Sequence, residues 1–332
     1  MTGPILSVRN LTCRFPIRGA FGRTIGHIRA LDGISFDLAQ GEILGLVGES
    51  GCGKSTLGKS IIGIQKPNEG QVVFEGRDIA GKSPREAKEQ RSRLQYAYQD
   101  PGASLDPRWR IGKSLEEPLI IHTRLPPRER SQKVADILDA VGLPASHLDL
   151  YPHELSGGQQ RRVGLARILM LNPRVVILDE PTAGLDVSVQ ATVLTLFRDL
   201  QKKFYLTYMF ISHDLSVVRA MCNRVAVMYL GRIVEIGLTE DIFANPQHPY
   251  TQSLLAAIPQ INGRRVTETF WLKGEPPDAS HLPKGCRFQG RCPHVAQICR
   301  TQDPALAVYG EANALHESAC HFAGQVTPPV SK

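Results

Sequence analysis

The stretch GESGCGKST, residues 48–56, constrains this chain more than any other. Gly48, Glu49, Ser50, Gly51, Cys52, Gly53, Lys54 and Ser55 match G-x-x-x-x-G-K-[ST], and Thr56 follows. Glycines at these positions let the backbone turn tightly, so that successive N–H groups point at phosphate oxygens. The helix that opens after them adds its positive dipole end. Lys54 is placed to reach the β- and γ-phosphates of a nucleotide, and the Ser55 hydroxyl to bind Mg²⁺. The flanks supply the context this motif needs. Residues 41–47, GEILGLV, contain a short apolar run of the kind that makes a buried strand. Beyond the loop, Leu57, Ile61 and Ile64 fall at offsets of four and three, on one helical face. Cys52 occupies a variable position, where a small residue is tolerated and no redox role is expected.

Two further strands end in residues that carry chemistry. Val175, Val176, Ile177 and Leu178 run into Asp179 and Glu180. Asp179 is placed to hold Mg²⁺ directly or through water, and Glu180 to polarise a water in line with the γ-phosphate. Alone, an Asp-Glu pair after a strand is a common helix cap. Downstream of a phosphate loop, the catalytic reading takes precedence. Residues 206–211, LTYMFI, make the other strand, which ends at Ser212 and His213. Between the two, Val189, Val193, Phe197, Leu200 and Phe204 keep helical spacing. Strands alternating with helices predict a largely parallel sheet covered by helices. Residues 224–237, RVAVMYLGRIVEIG, predict a hairpin turning near Gly231 and Arg232.

After Asp241 the prolines thicken and periodicity fades, which predicts a linker with short helices. The expected organisation is a nucleotide-binding domain over 1–240, a linker over 241–285, a small four-cysteine module over 286–322 and a disordered tail over 323–332. Composition serves mainly to exclude. With 332 residues, 42% hydrophobic and 21% charged, the chain is ordinary globular material and neither collagen nor coiled coil. No apolar stretch approaches the ~18 residues of a membrane-spanning helix. The opening MTGPILSVRN lacks the basic start of a secretory signal, so the expectation is a chain kept in the cytosol. The net charge of +7 comes without any block of like charge, and it reads as a mildly basic surface with no call for nucleic acid.

Leu155, Ser156, Gly157, Gly158 and Gln159 lie between the two phosphate motifs. Ser156 can cap the helix that follows, on which Val163, Ala166 and Met170 line one face, and the glycines let a phosphate approach its N-terminus. With this LSGGQ the chain resembles the ATP-binding cassette (ABC) ATPases. The fold implied is α/β, an ABC-type phosphate-loop NTPase with a helical signature subdomain and a small C-terminal cysteine-bearing extension. The resemblance implies that Ser156, Gly157, Gly158 and Gln159 bind the γ-phosphate of ATP held by an opposite subunit, in a head-to-tail dimer. It implies Gln99, in YAYQDP, as the glutamine that senses Mg²⁺ and the attacking water and couples to a transmembrane partner. Ser55, Gln99 and Asp179 would then surround Mg²⁺, with Glu180, His213 and Gln99 as the catalytic set. His213 takes the place of the switch histidine, and Asp186, in PTAGLD, that of the dimer-contact aspartate, with Gly184 where many relatives carry alanine. Phe15, in CRFP, is the candidate for stacking on adenine, with Phe36 and Phe21 as competitors.

A narrower resemblance rests on Gln99-Asp100-Pro101 with SLDPR at 104–108, on DVSVQ at 186–190 and on HPYT at 248–251. These look like the dipeptide/oligopeptide permease ATPase subunits, from about residue 5 to about 322, and GESGCGKSTLG looks like the second of two paired, non-identical subunits. The implied role is the ATP-hydrolysing, energy-coupling subunit of a membrane importer for dipeptides or oligopeptides. Nickel, glutathione and heme importers share these motifs and stay open as alternatives. A soluble ABC ATPase without a permease is disfavoured, because one phosphate loop, one signature and no long heptad segment are present. The implied partners are a second, non-identical ABC ATPase, two transmembrane permease subunits and, through them, an extracytoplasmic substrate-binding protein. The implied location is peripheral, on the cytoplasmic face of the inner (plasma) membrane.

Four of the seven cysteines lie beyond residue 285: Cys286, Cys292, Cys299 and Cys320, spaced C-x₅-C-x₆-C-x₂₀-C. In a cytosolic chain such a cluster points to metal or redox chemistry before disulfides. Four thiolates suit tetrahedral Zn²⁺ or an iron–sulfur cluster, although structural zinc commonly uses tighter pairs than these. The resemblance implies a four-iron–four-sulfur cluster, with Zn²⁺ second and free cysteines third. His294, His316 and His321 are expected as surface or packing residues. The distance in sequence from the nucleotide motifs points to a structural role for the tail.

Overall fold

Two long strands open the chain, Leu6–Arg18 (β1) and Thr24–Leu38 (β2), paired antiparallel. Neither shows an unbroken period of two. The register shifts between Val8 and Leu11 and again before Cys13, so the buried set Leu6, Val8, Leu11 and Cys13 changes phase along the strand. The computed structural model describes residues 3–19, 22–80, 90, 92–99, 101–258, 274–309 and 315–326. Phe21, Asp100, part of the expected linker and positions 327–332 of the expected tail therefore lie outside the described residues.

Next come Ile43–Val47 (β3) and the helix Lys54–Ile61 (α1). All five β3 residues are buried, as a run without alternation requires. The helix stops earlier than the apolar spacing suggests. Gly63, at φ 73°, ends it and hands the Ile64 N–H to the Lys59 carbonyl, so Ile64 lies beyond the helix and 53% exposed. The strands Glu69–Phe74 (β4) and Arg77–Asp78 (β5) complete a four-stranded antiparallel sheet in the order β2-β1-β4-β5.

The middle of the chain carries Leu94–Ala97 (β6), the helices Ile111–His122 (α2), Pro127–Ala140 (α3) and Gly157–Leu169 (α4), then Val175–Asp179 (β7), Val187–Phe204 (α5) and Thr207–Ile211 (β8). β6 and β7 pair in parallel. On α4 the apolar residues Val163, Ala166 and Leu169 are buried, and Met170 caps its end, also buried. Ion pairs of Arg167 with Glu117 and of Arg130 with Glu116 tie α4 to α2 and α3 to α2.

The last part holds Leu215–Met221 (α6), Arg224–Tyr229 (β9), Arg232–Leu238 (β10), Thr239–Ala244 (α7), Pro249–Ala256 (α8), Gln297–Thr301 (α9), Ala307–Val308 (β11) and Glu317–Ser318 (β12). β9 lies parallel to β3 and antiparallel to β10, as the hairpin expectation requires. Leu230 and Gly231, at φ 41° and 79°, make the tight turn between them. β12 adds to β10 and β11 to β12, both antiparallel.

The chain divides into two compact units, one of residues 1–81 and 210–332, the other of residues 82–209. Both mix helices and strands, so the fold class is α/β, with an antiparallel sheet added to the parallel pairs. Among the described residues no helix is long and apolar enough to cross a membrane.

Candidate active site

In the first unit, β3 runs straight into the phosphate loop. Gly48 and Gly53 are glycines by necessity. Their φ values are 154° and 108°, and a Cβ would come within 2.2 Å of the Met228 carbonyl oxygen at Gly48 and 2.3 Å of the Ala30 oxygen at Gly53. Gly53 caps α1 without any side-chain bond, and the first turn holds no acidic residue. The positive end of α1 is therefore uncompensated by charge within its own first turn. Lys54 is 5% exposed, with Nζ donating to the carbonyls of Gly48 at 2.7 Å and Glu49 at 2.9 Å. Ser50 and Gly51 are exposed, and Ser55 and Thr56 are half-buried. Cys52 is buried, which pushes its thiol up despite the Lys54 ammonium. An un-ionised thiol is a poor nucleophile.

The same unit holds His213, exposed just beyond β8, and Phe15, half-exposed on β1 opposite Ile28. Phe36 is 6% exposed within the β2 core and presents no open face. Two contacts to the loop come from far along the chain. The Glu49 N–H donates to Tyr250 Oη at 2.8 Å, and both Glu49 carboxylate oxygens accept from Arg291. The HPYT segment marked Tyr250 only as a family trait, and no sequence pattern singled out Arg291.

The second unit holds Gln99, Asp179, Glu180, Asp186 and the LSGGQ residues. Asp179 is buried at the end of β7 and accepts from the Tyr96 hydroxyl on the neighbouring β6. Burial, that hydrogen bond and the carboxylate charge all push the Tyr96 phenol up, so it stays a donor. Tyr96 was not legible as a site residue, because only the β6–β7 register sets it against Asp179. Glu180 is half-buried with φ 49°, and its carbonyl accepts from the Ala183 N–H. Gln99 is exposed after β6. Asp186 caps α5, accepting from the Val189 N–H at 2.9 Å and the Ser188 hydroxyl at 2.7 Å, and these bonds hold its carboxyl below the usual range.

Ser156 caps α4 reciprocally: its Oγ accepts from the Gln159 N–H, and Gln159 Oε1 accepts from the Ser156 N–H. Gly157 and Gly158 are exposed in the first turn. Neither has a positive φ, and a Cβ on either would meet nothing within 4 Å. Nothing among the described residues demands glycine there.

The four late cysteines gather in the first unit. The Cys286 N–H donates to the Cys299 carbonyl at 2.8 Å. Burial foremost, with the thiols of Cys292, Cys299 and Cys320 adding to it, pushes the Cys286 thiol up to about 12. Cys320 is pushed up to about 11, and Cys292 is raised as well. Yet among the described residues no group of three or more His, Cys, Asp or Glu side chains is set to hold a metal ion. The four-cysteine cluster implied by the resemblance therefore has no closed ligand set among the described residues. His316 is buried against Glu235, at 2.8 Å, while His321 bonds to the Gln302 carbonyl and His294 is exposed, as packing and surface residues do.

The profile of the family described as ABC transporter matches residues 31–183, and that of the oligopeptide/dipeptide transporter C-terminal region matches residues 234–299. The chain is 48% identical to the oligopeptide transport ATP-binding protein AppF of Bacillus subtilis, over 96% of this chain and 97% of that protein. It is 43% identical to the di/tripeptide transport ATP-binding protein DppF of Pseudomonas aeruginosa, over 97% and 98%. Among solved structures it is similar to cbiO1 from Clostridium perfringens, part of the ABC transporter complex cbiONQ, at TM-score 0.64 and 31% identity, covering 74% of this chain and 92% of that one. It is also similar to a dimeric ATP-binding cassette in a post-hydrolysis state with ADP and Pi, at TM-score 0.62 and 26% identity, covering 70% and 98%.

Proposed function

Because this chain belongs to the ATP-binding cassette family, in its oligopeptide and dipeptide transport branch, we propose that it hydrolyses ATP to drive a membrane importer of short peptides. The observation that carries the reading is the 48% identity held over 96% of the chain to an oligopeptide transport ATP-binding protein. The local chemistry supports it. The loop of residues 48–56 fits a triphosphate: a buried lysine, a helix N-terminus with no acid in its first turn, and glycines that bring the backbone close. Mg²⁺ suits the hard oxygen donors of Ser55, Gln99 and Asp179, and supplies charge neutralisation at the transferring phosphoryl group. Lys54 binds the phosphates, Glu180 takes the proton of the attacking water, and His213 and Gln99 orient the water and the γ-phosphate. Phe15 stacks on adenine.

The bare glycines at the head of α4 support a second role. An exposed, well-capped helix start with two glycines that no described residue demands suits a phosphate brought by another subunit. Ser156, Gly157, Gly158 and Gln159 would then complete the partner's ATP site, with Asp186 at the dimer contact. In this reading residues 1–240 form the nucleotide-binding domain. The partners are a second, non-identical ABC ATPase and two permease subunits fed by an extracytoplasmic binding protein, and the chain sits peripherally at the cytoplasmic membrane face. Glu180→Gln is the test. It should bind ATP normally but turn over at least about a hundredfold more slowly. Hydrolysis at the parental rate would remove Glu180 as the base.

For the C-terminal module we propose a four-iron–four-sulfur cluster on Cys286, Cys292, Cys299 and Cys320. The support is four soft sulfur donors close together in one small C-terminal segment, with the Cys286 N–H bonded to the Cys299 carbonyl. Protein purified without oxygen should contain about four irons and four sulfides per chain. Stoichiometric zinc without sulfide would replace the cluster with a structural zinc site, and neither element would leave the thiols free.

A further inference from the structure

Glu49, the first variable residue of the phosphate loop, is held at every polar group it has. Its N–H donates to Tyr250 Oη at 2.8 Å, and its carbonyl accepts from Lys54 Nζ at 2.9 Å. Its carboxylate takes a two-pronged bond from Arg291, Nη1 to Oε2 at 2.7 Å and Nη2 to Oε1 at 3.0 Å. The fork is the strong geometry for an arginine–carboxylate pair. It is also largely shielded on the arginine side, with the Arg291 side chain 5% exposed and that of Glu49 25%. The guanidinium lies 5.9 Å from the centres of both the Tyr229 and Phe288 rings. Those rings pack on Tyr250, with centroids 4.6 Å and 5.5 Å away. One aromatic cluster thus fixes both residues that grip Glu49.

A carboxylate on a loop that takes a triphosphate is a like charge beside the ligand, and in a partly buried setting that repulsion weakens binding by about tenfold or more. We propose that Arg291 is a positioning residue of the nucleotide site: it neutralises Glu49 and holds the carboxylate back, keeping the phosphate loop receptive to ATP. The C-terminal segment is then part of the ATP-binding machinery. This inference rests on reading residues 48–56 as the phosphate loop for ATP.

The experiment titrates the full chain with a fluorescently labelled ATP. Arg291→Met should raise Kd about tenfold, and by less in about 0.5 M salt, where charge is screened. Arg291→Lys, with a point charge in place of the fork, should recover part of the loss and carries the same comparison if R291M folds poorly. In a Glu49→Gln background the R291M change should do little, leaving the double variant within about twofold of E49Q. A merely structural tether would weaken binding equally in both backgrounds and at both salt levels, and that result overturns the inference. So does an R291M affinity within twofold of the parent while Lys54→Ala loses binding. Parental affinity in K54A would instead remove the phosphate-loop reading, and this inference with it.

Discussion

Glu180 occupies the left-handed region at φ 49°, where a residue with a Cβ is disfavoured by about a kilocalorie or two. Such strain persists only where its surroundings impose it, and it gathers at functional positions. Here it falls at the end of a fully buried strand, one residue past Asp179. Asp179 in turn depends on a residue that no motif names. The Tyr96 hydroxyl donates to its carboxylate and fixes one of its oxygens. Where a carboxylate holds a metal ion, as proposed for Asp179, a bond from behind orients it, and losing one typically reduces metal affinity ten- to a hundredfold. Tyr96→Phe should therefore need about ten times more Mg²⁺ for half-maximal ATPase activity, with the rate at saturating Mg²⁺ largely kept. A Mg²⁺ titration of turnover that superimposes on the parent's would show that Asp179 is not oriented through Tyr96.

Among the elements, the helix starts were the most legible. Ser156 was expected to cap α4 and does so in a full capping box, because the Ser-x-x-Gln spacing brings both partners within one turn. The cap of α8 was not legible, since histidine is an unusual choice. His248 Nδ1 accepts from the Tyr250 N–H at 3.1 Å, which only an unprotonated Nδ1 can do. The ring is 2% exposed, lies 5.8 Å from Phe288, and burial pushes its pKa down to about 3. The buried Glu235 of β10 faces the same segment, its carboxylate accepting from the His248 and Gln247 backbone N–H groups and bonding His316. An unfolded chain protonates His248 near pH 6.5 and the folded one only near 3. Between those values the unfolded state holds more protons, so stability falls as pH drops through that window, by at most about 1.4 kcal/mol per pH unit. His248→Asn keeps an acceptor for the cap and removes the titration. Urea midpoints measured from pH 7 to pH 4.5 should fall less steeply for H248N than for the parent, and identical slopes would refute the assignment.

Over the whole molecule, local patterns announced β3, β7, β8 and the β9–β10 hairpin, because buried strands carry their apolar runs within a few residues. They missed β1 and β2, where register shifts break the period, and overran α1, where Gly63 ends the helix before Ile64. The site divides the same way. The order and spacing of residues 48–56, 155–159, 179–180 and 213 were enough to propose the chemistry, because each cluster is contiguous and its proposed role follows from backbone geometry that a few neighbouring residues impose. Tertiary structure alone joined Arg291 to Glu49 across a separation of 242 residues and set Tyr96 against Asp179 across 83. Those relations depend on which strands lie side by side and on what burial does to charge. Neither is a property of any short stretch of chain.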